Sequence, residues 1–255
     1  MTPILEIQDL TIRYDGKRAL EDVSFRVQAG ESVAIVGPNG AGKSTLFRAM
    51  VGLVQPSRGT TTTHGAEIGY VTQRSAVDWS FPVTVHDVVM MGRISKMGWL
   101  RWQRQLDREI VQRCLDEVGM LEYAGRQIGE LSGGQQQRVF IARALAQEAT
   151  ILLMDEPFSG VDAPSQETIL EILDRLHSQG VTALVSTHDL RLAVERFDRL
   201  ALLNQRLIAY GPPHEVVTPG TLAAAYGGQA LWRGDDYAMV LGDIDCCGEV
   251  EHDHD

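Results

Sequence analysis

Gly37-Pro38-Asn39-Gly40-Ala41-Gly42-Lys43-Ser44 sets a run of small and turn-forming residues ahead of a lysine and a hydroxyl, with a second hydroxyl at Thr45. Small residues let successive backbone N–H groups turn toward phosphate oxygens, a lysine reaches the β- and γ-phosphates, and the serine hydroxyl suits Mg²⁺. The pattern carries this meaning only between a strand and a helix. That context is present: Glu31 to Val36 is apolar and β-branched, and a helical pattern runs from Lys43 through Leu53. An ordinary glycine-rich turn would not be expected to satisfy both pattern and context.

A second group of candidates lies downstream. Ile151-Leu152-Leu153-Met154 reads as a buried strand that delivers Asp155 and Glu156 to its C-terminal end, the ligand edge of an open α/β sheet. Asp155 is placed to support Mg²⁺ and Glu156 to orient or deprotonate an attacking water. Two acids after a strand also occur as a solvated strand end. With a phosphate loop in the same chain, the pair points to hydrolysis.

These groups need a scaffold, and the chain between them supplies its pieces. Leu5 to Arg13 and Val23 to Val27 read as antiparallel strands about the turn-like Tyr14-Asp15-Gly16-Lys17. From about Phe81 to Gly129 the period is helical, with Val85, Val88 and Val89 followed by Leu106, Ile110, Val111, Leu115 and Val118. Strand-like Ile151 to Met154 and Val181 to Ser186 flank a helix from about Pro164 to His177, a β-α-β pattern of a parallel sheet. A hairpin over Leu200 to Tyr210 and a small helix precede a polar, acidic end from Asp243 onward. With 255 residues, 44% of them hydrophobic, the chain can bury one composite domain over residues 1–242, with a helical subdomain inserted at about 76–147 and a tail at 243–255.

Composition removes several classes. A formal charge of −11 argues against a protein that coats nucleic acid. No stretch approaches the roughly 18 to 20 apolar residues of a membrane span, and MTPILEIQDLTIRYDG lacks a secretion signal, so a cytoplasmic location is expected. Three cysteines, Cys114 and the adjacent Cys246 and Cys247, suit a reduced compartment. Cys246, Cys247, His252 and His254 offer thiolates and imidazoles suited to zinc, although their spacing matches no standard closed site and a flexible acidic terminus is the plainer reading.

Leu131-Ser132-Gly133-Gly134-Gln135, standing directly before the helical run Gln136 to Ala146, matches the signature sequence of ABC-type ATPases, and the chain resembles that family over roughly residues 4 to 230. The resemblance implies an α/β fold with a RecA-like phosphate-loop core, an antiparallel β subdomain and the inserted helical subdomain. It implies ATP and Mg²⁺ as ligands, with Mg²⁺ held by Ser44, Gln73 and Asp155. It also gives roles to residues that alone would read as surface or capping groups: Tyr14 as the adenine platform, Gln73 as the Q-loop glutamine, Ser159-Gly160-Val161-Asp162 as the D-loop and His188 as the switch histidine. Ser132, Gly133, Gly134 and Gln135 would face the nucleotide on the phosphate loop of a second copy, so a homodimer with two shared sites is expected, opening when the γ-phosphate is lost.

Lacking a membrane span, the chain would serve a separate multispan permease, and indirectly an extracytoplasmic metal-binding protein, at the cytoplasmic face of the membrane. The segment from Gln73 to Arg93, the Gly160-Val161 of the D-loop and Asp155-Glu156-Pro157-Phe158 resemble the manganese, zinc and iron importer branch, with manganese placed first and zinc or an iron chelate next. Trp79, Phe81 and Pro82 are candidates for a groove that receives a permease helix, or for local packing. A non-transport ABC-type ATPase is the remaining alternative; the long coiled-coil insertion or second cassette of such proteins does not occur here.

Overall fold

The computed structural model describes residues 2–14, 16–74, 77–79, 81–97 and 103–227, together with the backbone of two short paired strands at 230–231 and 240–241. At its centre lies a six-stranded sheet. Strands β3 (Ser32–Val36), β5 (Ile68–Val71), β6 (Ile151–Asp155), β7 (Thr182–Thr187) and β8 (Arg199–Asn204) run parallel in the order β5-β6-β7-β3-β8, and β9 (Arg206–Gly211) closes the edge as an antiparallel hairpin partner of β8.

Both faces of this sheet are covered, which is why its strands are almost continuously apolar. Alternate residues go to different cores. Ala34, Val36, Leu152, Met154 and Val185 join the core beneath the helices, whereas Val33, Ile35, Leu153 and Leu184 join a second core with Leu5, Ile7, Leu10 and Leu20. That second core is roofed by a three-stranded antiparallel sheet in the order β2 (Lys17–Val27), β1 (Leu5–Tyr14), β4 (Arg58–Thr62).

Helix α1 (Lys43–Met50) follows β3 and stops earlier than its apolar pattern suggests. Gly52 turns left-handed at φ 74 and the Leu53 N–H returns to Arg48 O, leaving Leu53 exposed. The helical part comprises α2 (Val85–Met91), α3 (Ile94–Met97), α4 (Gln105–Glu117) and α5 (Gly133–Ala146). Helix α2 starts at a capping box between Thr84 and Asp87.

Leu106, expected on the apolar stripe of α4, is instead exposed. The helix is rotated so that Asp107 takes the inner position with Ile110, Val111 and Leu115, and Asp107 is buried there because Arg93 Nε lies 3.1 Å from its Oδ1. A charge tolerates burial when paired in this way. Hydrophobic periodicity does not register such a pair.

The core beneath the helices runs without interruption from α2, α4 and α5 to the sheet. At Gly69 an added Cβ would stand 2.8 Å from the Ala144 side chain, so the end of α5 rests directly on β5. Helices α6 (Ala163–Ser178), α7 (Leu190–Arg196), α8 (Pro213–Val216) and α9 (Pro219–Tyr226) complete the fold. The architecture is α/β: a RecA-like phosphate-loop core, an antiparallel β subdomain and an inserted helical subdomain. Among the described residues no helix is long and apolar enough to cross a membrane.

Candidate nucleotide site

Strand register gathers the candidates at one sheet edge. Val36 pairs with Thr187, Asp155 with Ser186 and Val71 with Met154. The residues just past those ends are Gly37, His188, Glu156 and, two positions beyond Val71, Gln73. Four separate stretches of sequence therefore open onto the carboxyl edge of neighbouring strands, where an open α/β sheet takes its ligands.

The loop from Gly37 to Gly42 is held against the rest of the fold at both ends. A Cβ on Gly37 would fall 2.0 Å from Leu203 O, and one on Gly42 (φ 98) would fall 2.5 Å from the Leu20 side chain, so neither position accepts a larger residue. Gln205 N–H donates to Ala41 O at 2.8 Å, tying the loop to the β8–β9 turn. Lys43 folds back over it, donating to Gly37 O at 2.7 Å and Pro38 O at 3.2 Å. Burial pulls its ammonium below the ordinary lysine pKa, opposed by the negative charges of Glu156 and Asp155. A buried cation supported by carbonyls and facing two carboxylates, beside the first helical N–H groups of α1, which lack intrahelical partners, is a cradle for polyanionic phosphate.

Asp155 is 2% exposed, with Oδ1 accepting from Ser186 Oγ at 2.7 Å and Oδ2 lying 3.4 Å from Tyr70 OH. Burial and the adjacent carboxylate push the Tyr70 phenol up to about 12, so it stays a neutral donor. Glu156 is half-buried; its Oε2 accepts from Gln73 Nε2 at 3.1 Å, and its backbone takes a left-handed φ of 48. Asp155, half-buried Ser44 and Gln73 carry oxygen donors of the kind that suits a hard cation such as Mg²⁺. His188 is exposed one residue past β7, and among the described residues no hydrogen bond joins it to Glu156. Tyr14 is exposed at the end of β1.

The signature segment forms the N-terminus of α5. Ser132 caps the helix in a reciprocal box with Gln135 and is itself exposed, whereas Gly134 is buried. Helix α6 begins at the D-loop, where Asp162 caps Ser165 N, and Ser165 packs so closely that a Cβ on Gly134 would lie 2.4 Å from its own Cβ. Two helix N-termini thus abut, which joins signature and D-loop in one surface. Gly134→Ala is expected to destabilise the chain by about 1–3 kcal/mol through overpacking, lowering the denaturant midpoint; adding Ser165→Gly should recover most of the loss.

Three side chains in this region carry no sequence motif. Ser186 and Tyr70 contact Asp155. Arg74, next to Gln73, bonds Gln136 Oε1 at 3.0 Å and would stand 3.1 Å from a Cβ on Gly133. A hydroxyl at Ser186 within an otherwise apolar strand interior was the available signal. Trp79 packs on the Phe140 ring at 5.2 Å between centroids and donates Nε1–H to Arg74 O, so local packing accounts for it, whereas Phe81 and Pro82 are exposed. Cys246, Cys247, His252 and His254 lie outside the described residues; among those described, no cluster of three or more His, Cys, Asp or Glu residues could hold a metal.

Comparison with known proteins agrees with this geometry. Residues 20–159 match the family described as ABC transporter. The chain is 45% identical over 249 residues to the manganese transport system ATP-binding protein MntB of Halalkalibacterium halodurans, covering 94% of this chain and 99% of that one. It is 46% identical over 232 residues to the zinc transport system ATP-binding protein TroB of Treponema pallidum, covering 88% and 87%. Among solved structures, a metal-chelate type ABC transporter in an inward-facing conformation superposes with a TM-score of 0.81 at 30% identity, covering 89% of this chain and 90% of that one. A phosphate cradle after β3, paired acids two strands away at the end of β6 on the same sheet edge and a signature helix that abuts the D-loop, together with these likenesses, place the chain in the ABC-transporter family as an ATP-binding and hydrolysing subunit.

Proposed function

We propose that the chain powers a membrane importer for a divalent transition metal, manganese first, with zinc or an iron chelate as alternatives. It would work as a homodimer at the cytoplasmic face of the membrane, under a separate multispan permease supplied by an extracytoplasmic metal-binding protein. The observation that carries the hydrolytic part is the contact of Gln73 with Glu156 beside the buried Asp155 and Lys43. The names of the relatives support metal as cargo.

In this reading Lys43 and the N–H groups of the loop hold the β- and γ-phosphates. Ser44, Asp155 and Gln73 would hold Mg²⁺, which neutralises phosphate charge when bound. Glu156 orients the attacking water and takes its proton, the half-buried carboxylate being kept near the cradle by the Gln73 amide. His188, free of a bond to Glu156, polarises the γ-phosphate, and Tyr14 stacks on adenine for about 0.5–1.5 kcal/mol. Exposed Ser132, with Gly133 and Gln135, closes the site of the second copy, while buried Gly134 sets the packing that presents them. Exposed Phe81 and Pro82 offer an apolar anchor for a permease helix.

Uptake of labelled manganese, zinc and iron by cells with the chain, without it, and with Glu156→Gln tests the assignment. Loss of manganese uptake in the last two strains is expected. Loss of zinc uptake alone would move the cargo to zinc, and unchanged uptake of all three would overturn the importer reading.

A further inference from the structure

Ser186 has no exposed surface, and a hydroxyl buried in a sheet interior must find partners. It finds two. The Glu156 N–H, which can only donate, reaches Ser186 Oγ at 2.9 Å, and this leaves the hydroxyl proton for Asp155 Oδ1 at 2.7 Å. The bond order is thereby fixed, from the Glu156 amide through the serine to the Asp155 carboxylate, and the shorter second bond suits a charged acceptor.

Glu156 sits at φ 48, a left-handed conformation that a residue other than glycine keeps only when its surroundings over-determine it. Its amide is held by Ser186 from the neighbouring strand, and the strands are in register there, Asp155 opposite Ser186. The geometry points to Ser186 as a positioning residue for ATP hydrolysis: it locks the turn that aims the Glu156 carboxylate and couples that turn to Asp155. Ser186 accepts no proton in the reaction and acts through Glu156, so the inference rests on Glu156 being the water-activating group.

The test uses the purified full-length chain and ATP hydrolysis under single-turnover and steady-state conditions. Ser186→Ala is expected to lower kcat by about tenfold or more while KM for ATP stays within about threefold. Ser186→Thr, which keeps the hydroxyl, should recover most of kcat. In a Glu156→Gln background, Ser186→Ala should cause no further loss, because the group it positions is already disabled. A merely structural serine would instead multiply the two losses. The proposal is overturned if Ser186→Ala keeps kcat within about twofold of the parent, if its loss persists in full in the Glu156→Gln background, or if kcat and nucleotide affinity fall together. Should Ser186→Thr fail to fold, the double variant decides. Near-parental turnover by Glu156→Gln alone would overturn the catalytic assignment first, which is a distinguishable result.

Discussion

Glu156→Gln is expected to bind ATP with little change and to turn it over about 10² to 10⁴ times more slowly. The substitution keeps the length of the side chain, and its carbonyl oxygen can still accept from Gln73 Nε2, which now lies 3.1 Å from Glu156 Oε2. It keeps the backbone N–H that Ser186 holds, the Asp155 bond to Ser186 and the Lys43 bonds to Gly37 O and Pro38 O, and Asp155 remains as a negative charge supporting the Lys43 ammonium. What it removes is the negative charge that attracts the proton of the attacking water. Binding and hydrolysis should therefore separate cleanly, and ATP should accumulate between paired copies. Equilibrium nucleotide binding, phosphate release and size-exclusion chromatography with ATP check the three parts. Near-normal phosphate release would remove Glu156 from the reaction.

Lys43→Ala is expected to fail at an earlier point, losing nucleotide affinity as well as turnover. Its ammonium is buried over Gly37 O and Pro38 O, so truncation strips the loop of an internal partner and the phosphates of a fixed charge at once. Charge-assisted hydrogen bonds in such a setting are each worth about 1.5–3 kcal/mol, which corresponds to a loss of roughly tenfold or more in ATP affinity for each contact removed. Lys43→Arg should not rescue it. A planar guanidinium fork does not fit where a compact ammonium turns back onto two carbonyls. Isothermal titration with ATP measures the affinity, and parental affinity in Lys43→Ala would contradict the cradle.

The same lesion tests site sharing. In mixed dimers, Lys43→Ala and Ser132→Ala placed on opposite copies would fall in one shared site and leave the other intact. Placed on the same copy, they would damage both sites. Equal hydrolysis by the two arrangements would argue against shared sites.

The sequence by itself determined the phosphate cradle, the paired acids and the signature, because each depends on residues close together in the chain. A glycine-rich loop between strand and helix, or two carboxylates closing an apolar strand, is a local object whose chemistry follows from residue type and spacing. The parallel core was also legible, since burial on both faces gives β6 the apolar run Ile151 to Met154 and β7 the apolar centre Ala183 to Val185. The edge strands β4 and β5 were not. Arg58–Thr62 is largely exposed and consists of an arginine, a glycine and three threonines, and Ile68–Val71 spans four residues, so neither has the apolar run or length that marks a strand.

Other features were settled only in three dimensions. Leu106 and Asp107 exchange their expected environments because Arg93, distant in sequence, supplies a buried partner. Gly134 reads as a nucleotide contact in the signature, yet its lack of a side chain is required by the approach of Ser165 from another helix. Ser186 is one hydroxyl in a strand until register sets it opposite Asp155 and beside the Glu156 amide. Each of these depends on long-range pairing. Strand order and helix rotation are fixed by the packing of the whole core, and no local pattern of residues records which distant groups that packing will bring within hydrogen-bond reach.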